Sequence, residues 1–106
     1  MAMTLDALTD YVRQQDGRLH RVARKKTHRL TAAVVANWPG PDFMATPKAR
    51  EAWETMAVGD CQRRDTPKMP VWVIGILVEI IIKLILAWLE SRKENEAELM
   101  AMQQQL

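Results

Sequence analysis

VWVIGILVEIIIKLILAWL, residues 71–89, decides the architecture of this 106-residue chain. Only Gly75, Glu79 and Lys83 fall outside the apolar set, and all six isoleucines of the protein lie here. Gly75 is the only poor helix former from Val71 onward; Glu, Lys, Ala, Met and Gln dominate after Glu90. The pattern predicts one helix over 71–106, apolar over 71–89 and charged over 90–106.

Nineteen residues at 1.5 Å each span roughly 28 Å, close to the hydrocarbon thickness of a bilayer. Trp72 and Trp88 bracket the run about 24 Å apart, where interface anchors of a transmembrane helix belong. Glu79 and Lys83 oppose insertion at about 5–7 kcal/mol together, against roughly 4–8 kcal/mol returned by the leucines, isoleucines and valines. The sums nearly cancel. Glu79 and Lys83 stand at i, i+4 with Glu first, the favoured order for a helical ion pair, which lowers the cost.

The same stretch carries a heptad pattern. Val71, Val78, Ile85, Arg92, Leu99 and Leu106 take one position, and Ile74, Ile81, Trp88, Asn95 and Met102 the other. Ile74, Val78, Ile81, Ile85 and Trp88 form the apolar packing seam. Glu79, Lys83 and Glu90, with Lys93 and Glu94, form a polar stripe within a sector of roughly 100°. A seam and a stripe on one helix suit a coiled-coil-like homo-oligomer, with the stripe facing a lumen or solvent. A protein-buried oligomer core, untouched by lipid, meets the same pattern.

Outward from this helix the composition changes. Residues 1–70 hold only ten Leu, Val or Phe, too few for a segment of this charge to bury a core alone. They carry 12 Lys/Arg against 8 Asp/Glu, whereas 71–106 carry 3 against 5. The mean hydropathy of −0.22 averages two unlike pieces. Residues 1–70 are expected to order only against a partner, an oligomer or a surface.

Local signals divide that region into short helices. Thr4 caps a helix over 4–16, with Leu5, Leu8 and Val12 on one face and Gly17 as its stop. A second helix is expected over 18–36. Two prolines and a glycine mark a linker over 37–47. Thr46 and Pro47 open a third helix, which Gly59 is expected to end, and 60–70 form another linker. With no alternation long enough for a strand, the fold class is all-α: two or three short helices joined by Pro/Gly-rich loops to one long helix.

Arg18, Arg21, Arg24, Lys25, Lys26 and Arg29 fall within twelve residues that hold no acid. This basic amphipathic helix suits anionic headgroups or a nucleic-acid backbone, or is simply a solvated face. No aromatic is interleaved for base stacking. His20 and His28 lack acidic or Cys neighbours for a metal site, so no metal or other cofactor is expected. Cys61, the single cysteine, excludes an intrachain disulfide and fits a reducing compartment. No nucleophile–base pair or phosphate loop is visible, which argues against an enzyme and against a small-molecule substrate.

The expected function is a non-enzymatic, membrane-associated homo-oligomer of phage or bacterial type, such as a virion membrane or channel component or a holin-like pore. These are analogies of architecture. Counting Lys and Arg alone puts the N-terminal side in the cytoplasm or particle interior, with no cleaved export signal. The alternative is a soluble helical structural protein of a virion or other large assembly, its basic helix facing nucleic acid.

Overall fold

The computed structural model describes residues 3–40, 46–65, 68–92 and 95–106, and every regular element among them is helical. Pro41 and Phe43 of the first linker, Pro67 of the second, and Lys93 and Glu94 of the stripe lie outside the described residues. α1 (Leu5–Gln15) starts where Thr4 accepts the Ala7 N–H on its hydroxyl at 3.1 Å. Leu5, Leu8 and Val12 lie buried along one face, as their spacing predicts. Asp16 ends α1 and caps α2 (Gly17–Arg21), accepting the Arg18 N–H at 2.8 Å.

One helix over 18–36 is not what forms. Val22 and Ala23 are extended and separate α2 from α3 (Arg24–Ala36). Side chains add hydrogen bonds to the carbonyls around the break. Arg13 Nη2 donates to the carbonyls of His20 and Val22 at 3.1 and 3.3 Å. The Thr27 hydroxyl lies 3.4 Å from the Leu19 carbonyl and 3.3 Å from that of Ala23.

The end of α3 has neither a glycine stop nor a basic last turn; the Asn37 and Trp38 N–H groups donate to the Ala33 and Val35 carbonyls at 3.2 Å each, and side chains supply further donors. Asn37 Nδ2 donates to Ala33 at 2.7 Å, Trp53 Nε1 to Val34 at 2.7 Å and Gln103 Nε2 to Val35 at 2.8 Å. Two of these three donors come from distant helices. Tertiary structure closes α3.

α4 (Pro47–Arg64) starts as expected: the Thr46 hydroxyl accepts the Ala49 N–H at 3.2 Å, with Pro47 at the first helical position. It does not stop at Gly59. The buried face continues through Ala57, Asp60 and Cys61, and Asp60 accepts from Arg64 Nε at 3.1 Å and Asn37 Nδ2 at 3.2 Å. Those contacts outweigh about 1 kcal/mol of glycine propensity.

The expected single helix over 71–106 is two helices, α5 (Val71–Ser91) and α6 (Asn95–Gln104), with Arg92 extended. As a separate helix, α6 places Leu99 and Met102 fully inside the core and lets Gln103 reach both the Val35 and Trp38 carbonyls. A straight continuation would leave both side chains without cover.

One hydrophobic core joins Leu8, Val12, Leu30 and Val34 to Ile74, Val78, Ile81, Ile85 and Trp88. The core-poor first 70 residues thus find their apolar partner in α5 of the same chain. The radius of gyration is 12.7 Å, close to the roughly 13 Å of a compact domain of this length. The seam expected to face other copies is filled within one chain.

Candidate functional site

α5 divides cleanly into two faces. Ile74, Val78, Ile81, Ile85 and Trp88 point inward and are buried. Trp88 is therefore no interface anchor in this fold: it stands two heptads beyond Ile74, on the seam side, and is 3% exposed. Trp72 is the opposite case, 71% exposed, with Val71 at 53% and Ile76 at 42% beside it. These three make an apolar patch on the first two turns of α5.

The polar stripe continues the outer face from that patch. Glu79, Lys83 and Glu90 are exposed, and Lys83 Nζ meets Glu79 Oε1 at 3.1 Å, the ion pair their spacing predicts. The 18-residue apolar window of α5 has a mean hydropathy of 2.4 and is 39% buried. By length and composition α5 can cross a membrane.

Two open clefts flank the stripe. One, of about 320 Å³, lies against the start of α4 and is lined by Arg50, Glu51, Glu54, Glu79 and Lys83. Burial, then the neighbouring Glu79 and Glu51 carboxylates, push the Glu54 pKa up. The other, of about 240 Å³, lies between α5 and the α1–α2 junction and is lined by Asp16, Arg18, Ile76, Glu79 and Lys83. Among the described residues no group of three His, Cys, Asp or Glu could hold a metal ion.

Four of the six cations in the basic cluster engage this chain's own carboxylates. Arg18 Nη2 meets Asp16 at 2.9 Å, and Arg24 Nε meets Asp10 at 2.9 Å with Asp6 at 3.7 Å from its Nη2. Those guanidinium hydrogen bonds hold the Asp16 and Asp10 pKa values below the ordinary carboxylate range. Lys26 and Arg29 both reach Asp65, at 3.6 and 3.0 Å. Arg21 and Lys25 are exposed and make no ion pair among the described residues. His28 Nε2 lies 3.2 Å from Asp6. The unbroken six-cation surface suggested by the sequence is thus reduced to two unpaired charges. The partner acids lie outside the twelve-residue window, where counting charge within it cannot find them.

Asp65 was not singled out by the sequence, yet it ties three elements together. Asp65 stands at the C-terminal end of α4, and its buried carboxylate accepts the Met69 N–H and meets both α3 cations. Burial raises its pKa, but the Met69 N–H, Lys26 and Arg29 outweigh that and hold it below 3.8. A lowered folded-state pKa contributes stability above the unfolded value and loses it as pH falls. Asp65→Asn should therefore cost about 1–3 kcal/mol at neutral pH. Thermal unfolding of the two proteins across pH tests this. The gap in Tm should hold steady near neutrality and close as the pH falls below the ordinary carboxylate value of 3.8. A gap independent of pH would show that the Asp65 charge contributes nothing.

Cys61 packs beside this knot. Burial, then the Asp65 charge, raise its pKa, so the thiol stays protonated and unreactive at neutral pH. Compared with known proteins, the chain matches no family model, no curated protein and no solved structure.

Proposed function

We propose that this chain is a small, non-enzymatic, membrane-associated structural protein that works as several copies. The observation that carries this reading is α5: 21 residues, mean hydropathy 2.4, with 39% of its apolar window buried. The central helix of a soluble globule hides most of such a window, whereas α5 leaves apolar side chains on its outer face. The Glu79–Lys83 ion pair is formed within the helix, so contact with lipid isolates neither charge. A virion membrane component or a holin-like pore of a phage or bacterium is the setting that suits such a chain, with the N-terminal side facing the cytoplasm or particle interior.

A membrane-crossing state requires α5 to leave α1, α3 and α4. Lipid tails are as apolar as the seam, so the seam itself loses little on transfer. The cost falls on Leu8, Val12, Leu30, Val34 and Trp53, which would then face water or other copies.

The burial of the whole seam inside one chain favours a second reading, a soluble helical structural protein of a virion or other large assembly. Arg21 and Lys25 would then face nucleic acid. Density-gradient flotation of the full chain with lipid vesicles, and sizing without detergent, separate the two. The membrane reading expects the chain to rise with the vesicles. A chain that stays at the bottom of the gradient, monodisperse without detergent, refutes it.

A further inference from the structure

α5 carries a second row with the spacing of its seam. Trp72, Ile76, Glu79, Lys83 and Leu86 stand two positions before Ile74, Val78, Ile81, Ile85 and Trp88 in turn, and Glu90 continues the row. Two positions turn a helix by about 200°, so the row runs along the side opposite the seam. Trp72, Ile76, Glu79, Lys83 and Glu90 are exposed, and Leu86 is half-buried. Steps of four and three residues alternate along it, the spacing with which two helices interlock side by side.

The positions of this row are symmetric about residue 81. Laid against an antiparallel copy of itself, Trp72 meets Glu90, Ile76 meets Leu86 and Glu79 meets Lys83. The central layer sets the direction. In the antiparallel arrangement each Glu79 faces Lys83 of the second copy, whereas in a parallel one like charge meets like. Within the chain Lys83 Nζ uses only Glu79 Oε1, at 3.1 Å. The other carboxylate oxygen and the remaining ammonium hydrogens are left for the second copy. Four charges of alternating sign then surround the two-fold axis.

The open clefts on either side of the row give the side chains of a second helix room to enter. Their charges are mixed. On the α2 side Arg18 is paired with Asp16 at 2.9 Å. On the α4 side Arg50 stands with Glu51 and Glu54, one cation to two carboxylates. With Glu90, each copy therefore brings two more carboxylates than cations to the contact. That excess opposes association and is screened by salt, so pairing is to be measured at ordinary ionic strength.

From this we propose that the outer face of α5 is a self-association surface, on which a second copy of the folded chain lays its own α5 antiparallel about a two-fold axis at residue 81. The inference rests on the multi-copy part of the reading above and specifies the face and the register. The seam stays buried in each copy.

Sedimentation of the full chain without detergent, from micromolar to submillimolar concentration, should show a monomer–dimer equilibrium. Glu79→Lys and Lys83→Glu should each weaken the dimer at least about tenfold, because each places like charges on both sides of the axis. The double variant Glu79→Lys/Lys83→Glu should dimerise as the natural chain does, since opposite charges again face each other. Trp72→Ala, which removes an indole at each end, should weaken the dimer about tenfold. All these positions are exposed, so circular dichroism should show every variant folded. On oxidation, Ile76→Cys mixed with Leu86→Cys should give a disulfide between copies, and Ile76→Cys alone should not.

A chain that stays monomeric at every concentration overturns this surface, and vesicle flotation then decides the membrane reading separately. A dimer indifferent to the single reversals forms elsewhere on the molecule and equally overturns it. A double variant as weak as the single ones, or a disulfide formed by Ile76→Cys alone, overturns the antiparallel register.

Discussion

Ile81→Glu should unfold the chain. Ile81 sits fully buried on the inner face of α5, between Val78 and Ile85 of the seam. A carboxylate there must ionise inside an apolar core or take up a proton, and either costs several kcal/mol. A domain of this size has about 5–15 kcal/mol in total. Circular dichroism should lose its cooperative thermal transition, whereas Ile81→Val should cost only about 0.5–1.5 kcal/mol. If the seam instead served contacts between copies, Ile81→Glu would give a folded, smaller species in size-exclusion chromatography. A helical, cooperatively melting monomer would therefore show the core assignment to be wrong.

The second large effect is at Trp53. Its ring is the largest fully buried side chain and its Nε1 donates to the Val34 carbonyl at 2.7 Å. Trp53→Ala should cost about 3–5 kcal/mol by cavity formation, lowering Tm by more than about 12 °C. Trp53→Phe separates packing from hydrogen bonding. It keeps an aromatic ring but leaves a carbonyl at the end of α3 without this donor, at about 1–3 kcal/mol. Equal stability of Trp53→Phe and the natural protein would mean that α3 does not need the indole.

Trp53 also shows why sequence reading stops where it does. Its position after Thr46–Pro47 places it on a helix, because capping and first-turn signals act over three or four residues. That it closes the end of α3 depends on a bond spanning 19 positions. Arg29 and Asp65 are 36 positions apart, and Gln103 and Val35 are 68 apart. Such pairs leave no local signature. Arg24, Lys26 and Arg29 read as a free basic surface for the same reason, because their acids arrive by folding, whereas Arg18 meets Asp16 only two positions away.

Within α5 the two kinds of information meet. Spacing alone separated Ile74, Val78, Ile81, Ile85 and Trp88 from Glu79, Lys83 and Glu90, and the structure keeps those faces apart. It also paired Glu79 with Lys83, because i, i+4 neighbours meet on any helix. Periodicity does not say what covers the apolar face: it fits Trp88 equally to an interface and to the seam, and burial places it in the seam.

The amino-acid sequence by itself determined that the chain is helical, where α1 and α4 begin, and that 71–89 form an apolar helix with one polar stripe. Those properties follow from hydrogen bonds, propensities and periodicity within a few residues. Only the tertiary structure decided that the seam is filled by α1, α3 and α4, that α6 is a separate helix packing Leu99 and Met102 into the same core, and that Trp72 stays outside while Trp88 goes in. An apolar face specifies that it must be covered; which surface covers it depends on the shape and reach of the rest of the chain.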